Sequence, residues 1–125
     1  MAEVQKILVV DDSEPLRRRI RSLLEHEGLH LCGEAANGRE AVERVREFAP
    51  DLAILNISMP IMDGFEALPE MLRYSPGMKV IIFTLHDASE LRQLALQLGA
   101  HSYVVKSAPP EDLVAEVKKL LGQTK

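Results

Sequence analysis

Four consecutive apolar residues, Leu52-Ala53-Ile54-Leu55, stand between Pro50-Asp51 and a stretch that breaks regular structure, with Met59-Pro60 and then Asp63-Gly64. The run is too short for a helix and suits a strand buried on both faces, as in parallel sheets covered by helices. The Met-Pro and Asp-Gly pairs that follow favour a turn. Similar short runs recur at Ile7–Val10, Val80–Phe83 and Tyr103–Val105. A fifth segment, Leu29 to Ala36, is interrupted by Gly33 and carries Glu34, which places it at a sheet edge.

Segments of helical period separate these strands. Ser13 is positioned as an N-cap with Pro15 just inside the helix, and Leu16, Ile20, Leu23 and Leu24 form one apolar face. Gly28 stops that helix. Asn37 with Glu40 has capping-box spacing ahead of Ala41, Val42, Val45 and Phe48. Phe65, Leu68, Met71 and Leu72 mark a third helix, and Pro69 inside it predicts a late start or a bend. Leu91, Leu94, Ala95 and Leu98 mark a fourth, with Leu96 off the face. Pro109-Pro110 launches a fifth, with Leu113, Val114, Val117, Leu120 and Leu121 inward.

Five strands alternating with five helices make a (βα)5 pattern, an α/β fold with a doubly wound, mostly parallel sheet. The chain of 125 residues is one domain in length, read as residues 1–122 with 123–125 a linker stub or a disordered end. A formal charge of −4 argues against a nucleic-acid-binding surface. The single cysteine, Cys32, allows no intrachain disulfide and reads as a buried, inert thiol. With no apolar run long enough to span a bilayer and no signal-peptide pattern, the expected location is cytoplasmic and away from membranes.

Polar residues close four of the strands: Asp11 and Asp12 after the first, Asn56 after the third, Thr84 after the fourth and Lys106 after the fifth. A doubly wound sheet gathers the carboxyl ends of its strands along one edge, where function usually sits. The gathered groups suit phosphoryl chemistry with Mg²⁺. Carboxylates such as Asp11 and Asp12 are hard oxygen ligands for that ion. Lys106 can neutralise a phosphoryl oxygen, and the Thr84 hydroxyl can donate to another. No glycine-rich nucleotide loop is present.

Asp11-Asp12, Met59-Pro60, Met62-Asp63-Gly64, Thr84, Tyr103 and Lys106 stand in the order and spacing that resemble a receiver domain of two-component response regulators. The resemblance covers essentially the whole chain and implies a flavodoxin-like sheet of order 2-1-3-4-5. It implies a sensor histidine kinase as partner, an aspartyl-phosphate intermediate, and Mg²⁺ held by Asp11, Asp12, the residue at position 56 and the backbone carbonyl of Ser58. It also implies a switch in which Thr84 moves toward the phosphoryl group and the Tyr103 ring turns inward. The output surface would be the fourth helix, fifth strand and fifth helix. Receivers followed by a helix-turn-helix DNA-binding domain are similar, which implies an effector domain outside this chain and a monomer or weak dimer here. By this reading the chain is not an enzyme, since a phosphatase on a related sheet needs a cap for which there are no spare residues.

At the phosphoacceptor position the family carries aspartate, whereas this chain has Asn56. A carboxylate is an anionic nucleophile; an amide oxygen is neutral and weakly nucleophilic, so no stable acyl phosphate forms there. The change also lowers the negative charge around the site, where two carboxylates ~5 Å apart at an effective dielectric of ~20 repel by roughly 3 kcal/mol. It weakens Mg²⁺ binding by removing one ligand charge. Two readings stay open: a phosphorylation-independent binding module, or an ordinary receiver locked unphosphorylated by replacement of its acceptor. Ser58, two residues on, is a lesser candidate acceptor with no base beside it. His26, His30 and His101 lack metal-ligand spacing, His86 follows Thr84 by two, and the Arg17–Arg21 run reads as a solvated helix face or a kinase dock.

Overall fold

A computed structural model describes residues 4–122. The strands are β1 (Lys6–Val10), β2 (His30–Ala35), β3 (Leu52–Leu55), β4 (Lys79–Thr84) and β5 (Ser102–Val105). The helices are α1 (Glu14–His26), α2 (Gly38–Phe48), α3 (Gly64–Tyr74), α4 (Ser89–Gln97) and α5 (Pro110–Leu120). All strand pairings are parallel, in the order β2-β1-β3-β4-β5. This is the flavodoxin-like architecture expected from the alternation; the expected tail at 123–125 lies outside the described residues.

Strand side chains alternate between two cores, as the period of two requires. Leu8, Val10, Ala53, Leu55, Val80 and Ile82 face α2, α3 and α4, packing with Ala41, Val45, Leu68 and Met71. Ile7, Val9, Leu52, Ile54 and Ile81 face α1 and α5, packing with Ile20, Leu24, Leu113 and Val117. Both faces are covered, which is why these strands read as unbroken apolar runs rather than alternating ones.

β2 is the edge strand, and its register against β1 slips between Ile7, opposite Leu31, and Leu8, opposite Gly33. Cys32 is the extra residue, only half-buried, and burial pushes its thiol up, away from the reactive thiolate. Glu34, beyond the bulge, meets Arg17 at 2.9 Å and Arg21 at 2.6 Å. Burial works against the Glu34 carboxylate, but the hydrogen bonds and charges of the two arginines outweigh it and hold its pKa low. The arginine run of α1 is therefore divided. Arg18 and Arg19 are exposed, whereas Arg17 and Arg21 clamp the helix to the sheet edge.

Four local expectations need correction. The third helix does not start late: a complete capping box between Asp63 and Glu66 anchors its start at Gly64, with Pro69 inside the helix. At α2, Asn37 accepts from the Glu40 N–H as expected, but the Glu40 carboxylate accepts from Ala36, one residue before the cap. On α4, Leu94 is 41% exposed although the periodicity placed it inward. Only Ala95 is fully buried there, with Leu91 and Leu98 beside it. The Cys32 thiol is half-buried rather than buried, because it sits in the bulge.

His101, just before β5, accepts the Val80 N–H on its Nδ1 at 3.0 Å. Burial, and then the charge of Lys79, lower its pKa from the ordinary 6.5. A histidine that resists protonation when folded contributes stability above the unfolded pKa, and that contribution drains as pH falls through the folded value. Thermal unfolding followed from pH 7.5 to 5.0 should therefore show a decline in Tm starting near pH 6.5, distinct from the lower window of Glu34. His101→Asn should flatten that decline; a parallel decline in the variant would assign it to other groups.

Candidate functional site

The carboxyl ends of β1, β3, β4 and β5 bring Asp11, Asn56, Thr84 and Lys106 together, as their places in the sequence required. Lys106 donates to Asp11 Oδ2 at 2.7 Å and to Asn56 Oδ1 at 3.2 Å. The pair is dry, with side-chain exposures of 12% for Lys106 and 3% for Asp11. Asp11 Oδ1 accepts from the Ser13 N–H at 2.9 Å, so both oxygens of this carboxylate are engaged. Asp12 lies outward and exposed.

Asn56 is buried, and its main-chain N–H continues the sheet by donating to the Val10 carbonyl. Its Nδ2 donates to the Ser58 carbonyl at 2.8 Å and, at the long distance of 3.4 Å, to Asp12 Oδ1. The amide orientation follows from its neighbours: a carbonyl and a carboxylate only accept, and the Lys106 ammonium only donates. Every part of the carboxamide is thereby used.

Two glycines fix the backbone around it. Gly64 N–H donates to the Ile57 carbonyl at 2.8 Å, and a Cβ at Gly64 would collide with the Asn56 carbonyl oxygen. Gly38, at the start of α2, donates to the Met62 carbonyl at 2.7 Å. The β3–α3 loop is pinned at both points, and the cost appears at Ile61. This β-branched residue is 73% exposed and sits at φ 73°, in the left-handed region.

Thr84 is buried, and its Oγ1 accepts from the His86 N–H at 3.1 Å. Tyr103 is also buried; its hydroxyl donates to the His86 carbonyl at 2.6 Å and the Arg92 guanidinium lies 4.7 Å from its ring centroid. Burial pushes the Tyr103 phenol up, keeping the proton that this bond needs. His86 thus serves through its backbone, while its side chain is exposed.

As a cation site the edge offers the Asp11 and Asp12 carboxylates and the Ser58 carbonyl. These are hard oxygens, and a donor set of this kind fits Mg²⁺ completed by water. Among the described residues no group of three or more His, Cys, Asp or Glu side chains could hold a metal. Sequence reasoning missed Arg17, whose Nη1 donates to the Asp11 carbonyl at 2.6 Å while its Nε holds Glu34. Nothing in the local pattern marks a helix arginine that reaches both an edge strand and the acidic loop.

The response regulator receiver domain family matches residues 7–118. The chain belongs to that family. The receiver is 32% identical to the chemotaxis protein CheY of Thermotoga maritima, over 93% of this chain and 97% of CheY. It is 35% identical to the response regulator UvrY of Escherichia coli over 91% of this chain, but spans only 53% of UvrY. Among solved structures, a CheY-like receiver domain protein from Methanospirillum hungatei superposes with a TM-score of 0.88 at 32% identity, covering 97% of each chain. Receiver domains are typically non-enzymatic signalling modules that bind Mg²⁺ and interact with histidine kinases and effector domains. No helix among the described residues is long and apolar enough to cross a membrane.

Two outcomes test this geometry. Lys106→Ala leaves the buried Asp11 carboxylate without its partner and should cost about 3–5 kcal/mol in urea unfolding without Mg²⁺. Adding Asp11→Asn should recover most of that loss, and a double variant no better than the single would refute the pairing. Ile61→Gly removes a left-handed β-branched residue, and the released strain of about 1–2 kcal/mol exceeds the entropy cost of glycine, roughly 0.5–1 kcal/mol. A small rise in Tm is expected; a fall would show that the loop is not strained at this point.

Proposed function

We propose that this receiver is the input domain of a two-component response regulator, held unphosphorylated by Asn56 at the acceptor position. Its partners are a sensor histidine kinase and a DNA-binding effector domain outside this chain, through which it regulates transcription. The domain works in the cytoplasm, as a monomer or weak dimer, and makes no nucleic-acid contact itself, in keeping with its charge of −4. It performs no catalysis of its own.

The observation that carries this reading is the gathering of Asp11, Asp12, Thr84 and Lys106 along one edge of the sheet, with Lys106 and Asp12 bonded to a side chain at position 56 that cannot act as nucleophile. Asp11, Asp12 and the Ser58 carbonyl would hold Mg²⁺, joined by position 56 when it carries a carboxylate. When bound, the ion supplies positive charge to a phosphoryl group. Lys106 supplies the other positive charge from the opposite side of position 56. Thr84 retains a hydroxyl proton to donate, since among the described residues its oxygen is used only as an acceptor for His86. The one part missing is an anionic oxygen on residue 56.

Tyr103 supports a second reading, that of a pseudo-receiver acting as a phosphorylation-independent interaction module. The ring is already inward, with its hydroxyl bonded to His86 and its face covered by Arg92. An output surface set in this way does not wait for a phosphoryl group.

Incubation with acetyl phosphate and Mg²⁺, read by intact mass, separates the two. Asn56→Asp should gain a labile +80 Da adduct, the mass of one phosphoryl group, while the unchanged chain gains none. Labelling of neither would favour the pseudo-receiver, and a stable adduct on the unchanged chain would point to Ser58. Mg²⁺ should also raise the Tm of Asn56→Asp more than that of the unchanged chain. An equal or larger rise in the latter would contradict the loss of a ligand charge.

A further inference from the structure

A missing carboxylate alone would leave a hole in the ligand set; the Asn56 side chain does more than that. Its Nδ2 sits 2.8 Å from the Ser58 carbonyl and 3.4 Å from Asp12 Oδ1. Those belong to two of the three donor groups available to a cation beside Asn56. Its Oδ1 faces Lys106, whose ammonium is bound to the third donor group, the Asp11 carboxylate. Rotating the amide to offer its oxygen to a metal would turn the NH₂ group toward the ammonium, donor against donor. The present orientation is held from both sides. No fully buried side-chain nitrogen or oxygen among the described residues lacks a partner.

We infer that the Asn56 carboxamide is a built-in competitor of the divalent cation, its N–H groups taking the Ser58 carbonyl and Asp12 in the ion's place. This rests on the reading of the acidic edge as a Mg²⁺ site, and it goes beyond that reading in one respect. Loss of charge predicts that any neutral residue at position 56 weakens Mg²⁺ equally. Competition predicts that asparagine is worse than a neutral residue with no donor. A cation must displace the amide from Ser58 and Asp12, breaking one good hydrogen bond and one long one. Alanine makes neither bond and leaves room for water to complete the coordination shell.

Calorimetric Mg²⁺ titration of the unchanged chain, Asn56→Ala and Asn56→Asp decides the matter. The expected order of affinity is Asp tightest, Ala next and Asn weakest. Ala should exceed Asn by about fivefold, the worth of one modest net hydrogen bond. Alanine equal to or weaker than asparagine, with Asp binding well, would overturn the competition while leaving the metal site intact. No binding by Asn56→Asp would remove the metal reading itself and the inference with it. Should Asn56→Ala fold poorly, the side-chain amide resonances of Asn56 in the unchanged chain give an independent answer. They should be protected from solvent exchange without Mg²⁺ and lose that protection as Mg²⁺ saturates the site. Protection that persists once Asp12 reports saturation would overturn the proposal.

Discussion

The ion pair between Lys106 and Asp11 ties together what the sheet holds apart. β1 and β5 are separated in the sheet by β3 and β4, and the two residues lie 95 positions apart in sequence. Their contact crosses the open carboxyl edge and leaves Asn56 beside it, on the end of the intervening β3. In so dry a setting, each charge is tolerable only because of the other, and because Asp11 also accepts from Ser13. The acidic loop, the end of β3 and the end of β5 are thus held in one arrangement. Arg17 extends that arrangement to the edge strand through the Asp11 carbonyl and Glu34.

Much of this was legible in the sequence because the physics involved is local or periodic. A strand covered on both faces must be apolar throughout, and Leu52–Leu55 and Val80–Phe83 announce themselves that way. The polar residue that ends four of the five strands is placed by the same rule, since it is the first to leave the covered region. Edge position was readable at Gly33 and Glu34, which a central strand would not carry.

What stayed hidden depends on partners brought from elsewhere in the chain. Pro69 looked like a reason for a late start because the strength of the Asp63–Glu66 cap cannot be weighed from proline alone. Leu94 has helical spacing for the core, but the short α4 buries only a narrow stripe around Ala95. The division of the α1 arginines depends on which of them face β2, and the inward Tyr103 on a carbonyl, that of His86, supplied by another loop. The chemistry of position 56 could be read from its residue type; which way its amide points could not.

The pinned β3–α3 loop has a consequence for inheritance. Gly64 and Gly38 hold the backbone around position 56 by bonds that do not involve its side chain. Asparagine and aspartate are nearly the same shape, and their codons differ by a single nucleotide transition. With position 56 taken as the acceptor, a lineage carrying this scaffold could lose and regain a responsive site in one mutational step, with the rest of the edge left standing in between.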